Sequence, residues 1–240
     1  MALAKFNFPG MTISGKLNDV VYRTRNGKTY VSSLPRFSGK VTESQKTTRK
    51  DFKFASKLAC SLRKAAHAED AWRKHVRKNQ TVYNVIFSNA YNMARGNKIS
   101  NYAYIYPAYS YSLGEDSVHI ENGRITASVK TDYFSDSGDK SPMYAQMSVV
   151  IYCTEPQNDD FPESYFLNLN SKEILISKNG TFDFYINLNE CTDTGDCLTD
   201  EDICRHSLYD NHTYFVSFAI LDKNKYYLDH TETLSFINIK

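Results

Sequence analysis

From residue 42 to residue 96 the apolar side chains recur at intervals of three and four; beyond residue 98 they recur at intervals of two. No single secondary structure survives that change, because a helix stripe repeats every 3.6 residues and a strand face every 2.0. The pattern predicts an α+β protein in two parts, residues 1–98 and 99–240. In the first, Thr42 and Gln45 have the spacing of a capping box that opens a helix. Phe52, Ala55, Ala59, Leu62 and Ala66 then trace a narrow apolar stripe, slightly widened by Leu58. "AEDAWRKHVRK" and "TVYNVIFSNAYNMAR" continue the helical pattern, the second closing at Gly96, a good C′ residue. Two long helices or three shorter ones fit this stretch.

The second part opens on "ISNYAYIYPAYSYSLG", where Tyr102, Tyr104 and Tyr106 fall on one side of an extended chain. "SVHIE", "RITASVKTDYF", "MYAQMSVVIYCTE", "SYFLNLN", "EILIS", "TFDFYINL", "TYFVSFAILD" and "KYYLDHTETLSFI" follow, separated by turn residues such as Asn122-Gly123 and Asn179-Gly180. Short strands at this spacing predict an antiparallel β-sandwich, immunoglobulin- or fibronectin-like. The 18 Tyr and 14 Phe agree, since flat rings suit a pleated surface.

Ahead of the helices, "VVYRTRNGKTYV" spells a hairpin around Asn26-Gly27. A two-residue loop opposes Arg25 with Lys28, Thr24 with Thr29, Arg23 with Tyr30 and Tyr22 with Val31. One face then carries Val21, Arg23, Arg25, Lys28 and Tyr30, the other Val20, Tyr22, Thr24, Thr29 and Val31.

Charge divides where periodicity does. The net charge of the 240 residues is only +2, but residues 1–98 hold 12 Lys and 8 Arg against 3 Asp and 2 Glu, a formal +15, leaving −13 for the rest. Arg23, Arg25, Lys28, Tyr30, Lys46, Arg49, Lys50, Lys53 and Lys57 are the candidate contact residues. Such cations meet an acidic protein surface, such as the −13 part of the same or a neighbouring copy, or they neutralise the phosphates of DNA or RNA. In the nucleic-acid case Tyr30, Trp72 and the later tyrosines would stack on bases. Alternatively they are solvated, with the hairpin's cations guarding a sheet edge.

Other motifs are weaker. "GMTISGKL" has the glycines and lysine of a phosphate-binding loop, but Leu17 stands where Ser or Thr should hold magnesium, and a hairpin follows instead of a helix. Cys191, Cys197, Cys204 and His206 could close a tetrahedral zinc site, yet lack a C-x2-C knuckle; a disulfide or a loop of free thiols are the alternatives. Asp193, Asp196, Asp200, Glu201 and Asp202 crowd the same stretch without an EF-hand pattern. The histidines are scattered, with no HExxH or G-x-S-x-G, so no cofactor, catalytic set or small-molecule substrate is expected. The start, "MALAKFNFPGMTISGK", shows no signal-peptide pattern, no window is apolar enough to span a membrane, and five Cys is an odd number. A cytoplasmic or virion setting with reduced thiols is expected.

"GKLNDVVYRTRNGKTYVSSLP", the basic helical segment, "FSNAYNMA" and a "YPAYSYSLG"-like entry into a β-domain resemble, in that order, a domain-of-unknown-function family of Bacteroidetes bacteria. The family carries no assigned activity, so the resemblance implies no catalytic residues. Proteins of this build are also similar to virion components of phages infecting those bacteria, which implies a structural or interactive role. The stretch from Cys191 to His212 is longer than the family's usual strand connection.

Overall fold

The computed structural model describes residues 2–4, 15–17, 19–25, 28–33, 39, 41–95, 98–99, 103–107, 118–121, 123–130, 143–176, 181–188 and 206–239. These form an N-terminal antiparallel sheet, three helices and a set of C-terminal antiparallel sheets. The chain divides into two compact units, residues 1–46 and 47–240.

In the first unit β1 (Ala2–Ala4), β2 (Gly15–Leu17), β3 (Val20–Arg25) and β4 (Lys28–Ser33) lie in the order β1-β4-β3-β2. The register of β3 on β4 is the one the Asn-Gly loop predicts: Arg25 opposite Lys28, Arg23 opposite Tyr30, Tyr22 opposite Val31. Thr24 and Thr29 also share a hydroxyl–hydroxyl hydrogen bond of 2.9 Å. β1 pairs with β4 opposite Thr29, Tyr30 and Val31, and β2 with β3 opposite Val20, Val21 and Tyr22, so these strands flank the hairpin at its base, and among the described residues Arg23, Arg25 and Lys28 lie beyond both pairings.

In α1 (Glu43–Arg63) the capping box is in place. The Gln45 amide donates to Thr42 Oγ1 at 3.3 Å and the Thr42 amide to Gln45 Oε1 at 3.2 Å. Thr42→Ala removes one of these bonds and should lower stability by about 1 kcal/mol, read as a reduced urea midpoint with an unchanged slope. The helix buries Phe54, Ala55, Leu58, Ala59, Ser61 and Leu62. The expected stripe is thus displaced at its start: Phe54 is 5% exposed and Phe52 57%. Phe52 turns instead toward Phe87, with ring centroids 4.7 Å apart. The reason is angular, since 54, 55, 58, 59 and 62 keep a continuous row that 52 leaves.

After α1 come α2 (Ala68–Arg73) and α3 (Val82–Met93), the latter capped by Thr81, whose hydroxyl accepts from the Asn84 amide at 3.2 Å. Gly96 lies outside the described residues. Two short strands, β5 (Ala94–Arg95) and β6 (Lys98–Ile99), pair with each other. Residues 103–107 are not a strand, although the tyrosine alternation suggested one. They form a connector pinned by side chains: Trp72 Nε1 donates to the Ile105 carbonyl at 3.0 Å, and Tyr106 Oη to the Ala66 carbonyl at 2.6 Å. Trp72, only 1% exposed, is core and is not available to stack on bases.

The remaining strands are β7 (Val118–Glu121), β8 (Arg124–Lys130), β9 (Met143–Pro156), β10 (Ser164–Asn170), β11 (Ile174–Ile176), β12 (Thr181–Asn187), β13 (Tyr209–Leu221), β14 (Tyr227–His230) and β15 (Leu234–Ile239). A six-stranded sheet runs β10-β9-β13-β14, with β11 also on β9 and β15 also on β13; a three-stranded sheet runs β12-β8-β7. Met147, Val149, Ile151, Val216, Phe218 and Ile220 share one core with Ile125, Ala127, Phe184 and Ile186 of the smaller sheet. Val150, Tyr152, Phe215, Ala219 and Leu221, from the opposite face of β9 and β13, share a second core with α1, α2 and α3. The helices therefore belong with the large sheet, whereas the change in charge and period falls at residue 98. Cations mark the outward side of the helices, while burial ties their inward side to the sheet.

Candidate functional site: a lysine-lined groove beside an edge strand

Along α1, Lys50, Lys53 and Lys57 stand at spacings of three and four, one row on one helix face. All three are exposed. They border a groove whose other wall is Pro162, Glu163 and Ser164, with Phe54 also lining it, in a lobe of about 290 Å³. A second lobe of about 340 Å³ shares Lys57, Pro162 and Ser164 and extends along Cys60, Ser61 and Lys64 on one side and Tyr165, Phe166 and Asn168 on the other. The groove thus follows α1 and β10 side by side.

Its base is aromatic. Phe54 packs against Tyr152 and Phe166, each with centroids 5.7 Å away, and Tyr152 stacks on Phe166 at 5.1 Å. Burial, and then the Glu163 carboxylate, push the Tyr152 hydroxyl up to about 12, so it stays a neutral phenol at physiological pH. Ser61 Oγ donates to Asn168 Oδ1 at 2.9 Å, and the Asn170 side-chain amide donates to the Lys64 carbonyl at 3.3 Å. These bonds tie the end of α1 to β10 and hold the groove's width at that end. Among the described residues no carboxylate lies within ion-pair distance of Lys50, Lys53, Lys57 or Lys64.

The other candidates sort differently. Arg49 is exposed on α1 outside the groove lining, and Lys46 forms an ion pair with Glu43 at 2.7 Å. Arg23 and Lys28 are exposed and Tyr30 half-buried on the first unit's sheet, with Arg25 opposite Lys28. Lys16 lies opposite Val21 and so joins that face; its signal was hidden inside the near-miss phosphate loop. The hairpin cations and Lys46 belong to the first compact unit, and Arg49, Lys50, Lys53 and Lys57 to the second.

Cys191, Cys197 and Cys204 lie outside the described residues. His206 stacks on His212 with centroids 4.0 Å apart, and its carbonyl lies 3.0 Å from His212 Nε2. No group of three or more His, Cys, Asp or Glu is placed to hold a metal among the described residues. Cys153 is buried in the inter-sheet core, and burial pushes its thiol up to about 12, which keeps it unreactive.

Sequence reasoning missed Lys64, Cys60 and the β10 wall. Lys64 was legible, two helical turns beyond Lys57. The wall was not, because strand order across a sheet leaves no local trace. A partly exposed aromatic row was missed too: Phe87, half-buried, stacks on Tyr91 at 6.1 Å, and Phe52 leans on both.

No helix among the described residues is long and apolar enough to cross a membrane. Comparison with family models and with curated proteins finds no match.

Proposed function

We propose that this chain is a non-enzymatic interaction protein, an assembly component of the kind found in phage particles, acting through its basic surface on an acidic protein partner. One observation carries the reading: three exposed lysines in register, with Lys64 beyond them, face a groove and not open solvent alone. A merely solvated helix face needs no opposing wall. On this reading the two sheets that share a core are an immunoglobulin- or fibronectin-like platform, and the protein works in the cytoplasm or in a virion. The resemblance to the Bacteroidetes family and its phages agrees with such a role.

The runner-up is nucleic-acid binding by the same cations, favoured by the exposed Phe52 and Tyr91 beside a basic helix, which offer π-faces to unpaired bases. Light scattering separates the two. The expected result is a mass above the monomer at about 50 mM salt that falls toward the monomer at about 500 mM, since ion pairs at a surface are screened over that range. Added single-stranded DNA or RNA should not change it. A monomer at both salts overturns the protein-partner reading in its self-assembling form; a mass that rises only with nucleic acid selects the runner-up.

A further inference from the structure

We propose that a polar pocket between α3 and the loop that follows α2 binds a small phosphate monoester. The inference goes beyond the interaction reading above and does not depend on it.

The pocket has a volume of about 330 Å³ and lies within the second unit. Buried Trp72 and Val85 give it an apolar side, together with Pro107 of the connector. Among the described residues the rest of the lining is polar: His75, Arg77 and Gln80 from the loop, Ser88 and Asn89 from α3.

These polar groups offer mainly donors. The Arg77 amide donates to Gln80 Oε1 at 3.4 Å, and the Gln80 amide donates to the Arg77 carbonyl at 3.0 Å. The loop thus holds the Gln80 carboxamide by its oxygen. Asn89 is held at both ends, since Oδ1 accepts from the Tyr104 hydroxyl at 2.9 Å and Nδ2 donates to the Val85 carbonyl at 2.9 Å. A backbone partner fixes which end of each amide is oxygen and which is nitrogen. Left over are the hydrogens of Gln80 Nε2 and the second hydrogen of Asn89 Nδ2. Arg77 adds a guanidinium that forms no ion pair among the described residues, and the His75 imidazole and Ser88 hydroxyl can donate as well.

No Asp or Glu lines this pocket among the described residues. Residues 74–81 carry Lys74, His75, Arg77 and Lys78 without an acid, and the two acids of α2 are engaged elsewhere, Glu69 by Arg63 and Asp70 by Arg73. A cavity with a guanidinium, spare N–H donors and no carboxylate selects an anion with several oxygens. The Arg77 fork alone satisfies a planar carboxylate. A phosphate monoester spreads three terminal oxygens in different directions, which suits donors arriving from both the loop and α3. A volume of about 330 Å³ is at the low end for small-molecule sites. It exceeds a bare phosphate and leaves the apolar side for a small organic group. A nucleic acid fits less well, because its diesters have fewer terminal oxygens and its chain must continue on both sides of a concave site.

The test uses the full chain at constant ionic strength, with inorganic phosphate, glycerol 3-phosphate and acetate as probes. Calorimetry reads binding, and so does fluorescence, because the chain's only tryptophan lines the pocket. Glycerol 3-phosphate should saturate with a dissociation constant of about 1 mM or below, with inorganic phosphate weaker and acetate weakest. Arg77→Gln should weaken it about tenfold or more by removing charge-assisted bonds. Arg77→Lys should recover part of the loss, since it keeps the charge without the fork. Gln80→Glu still offers an oxygen to the Arg77 amide but sets a carboxylate in the pocket, so binding should vanish. Lys78→Gln removes a charge from the same loop outside the lining and should change affinity by less than about twofold. Arg77, Lys78 and Gln80 are exposed, so far-ultraviolet dichroism should be unchanged in all four variants. No saturable binding of either phosphate probe, unchanged affinity in Arg77→Gln or in Gln80→Glu, or an equal loss in Lys78→Gln overturns the proposal. Tighter binding of acetate than of glycerol 3-phosphate also overturns it, as does displacement by a thymidine oligonucleotide at a lower phosphate concentration. The interaction reading is decided separately by light scattering, so a monomeric chain that binds glycerol 3-phosphate keeps this inference and loses that one.

Discussion

Trp72→Ala is expected to lower stability by about 3–5 kcal/mol, and helices and large sheet should lose structure together in both proteins. Trp72 is the chain's only tryptophan, is 1% exposed, and lies in the core that α1, α2 and α3 share with Val150, Tyr152, Phe215, Ala219 and Leu221. Its indole N–H satisfies the Ile105 carbonyl, and its ring stacks on Tyr104 at 6.1 Å. Truncation opens a cavity and leaves that buried carbonyl without its donor, so both terms destabilise. Urea unfolding followed by far-ultraviolet dichroism reads the helices, and in the unmodified protein tryptophan fluorescence reads the shared core. Coincident curves support one cooperative unit from residue 47 onward. A helical transition at clearly lower urea would instead favour a division near residue 98.

Acid should destabilise the protein through His230, by about 3 kcal/mol between pH 6.5 and pH 4. His230 is 6% exposed at the end of β14, with its ring 5.0 Å from that of Tyr106. The Tyr227 hydroxyl is hydrogen-bonded to Nδ1, and Nε2 is a buried atom with no hydrogen-bond partner among the described residues. Burial, the largest cause, pulls the imidazole down to about 4 against the opposing carboxylate of Asp229, with smaller contributions from Lys74 and His75 in the direction of burial. Tyr227, facing it, is raised by burial and by the carboxylates of Asp229 and Asp70, so it stays a neutral phenol throughout. In the unfolded chain the imidazole takes up its proton near pH 6.5, and in the folded chain only near pH 4. Between those values the unfolded state binds more protons, so the contribution of neutral His230 is complete above about pH 6.5 and is lost progressively as pH falls toward 4. Unfolding free energies of the unmodified protein and of His230→Gln, measured from pH 7.5 to 4, check this. Their difference should shrink as pH falls, and a constant offset would remove His230 as the cause.

Much of the fold was legible because it is local. The Asn-Gly loop set the register of β3 on β4, the Thr42/Gln45 spacing set the start of α1, and short strand-like runs between turn residues located the C-terminal strands from β7 onward. Local pattern misled where side chains did another job. Tyr104 and Tyr106 alternate like strand residues but anchor a connector to Trp72 and Ala66, and Phe52 fits the helical stripe yet pairs with Phe87 on the surface.

The shared core of helices and large sheet has a physical signal that the sequence did contain. "MSVVIYCT" and "YFVSFAIL" are nearly continuous apolar runs, and a strand with one wet face alternates. Such runs announce cover on both faces of β9 and β13, and the helices are the second cover. Charge obscured this, since lysines on the outer side of α1 made a layer of one unit resemble a separate module.

For the candidate site, the sequence by itself determined the row Lys50, Lys53, Lys57, because helix periodicity places such spacings on one face. Only the tertiary structure decided that the row meets Pro162, Glu163 and Ser164 at the start of β10, about 100 residues away. That neighbourhood follows from strand order and from the packing of Phe54 onto Tyr152 and Phe166, long-range contacts that no local spacing encodes.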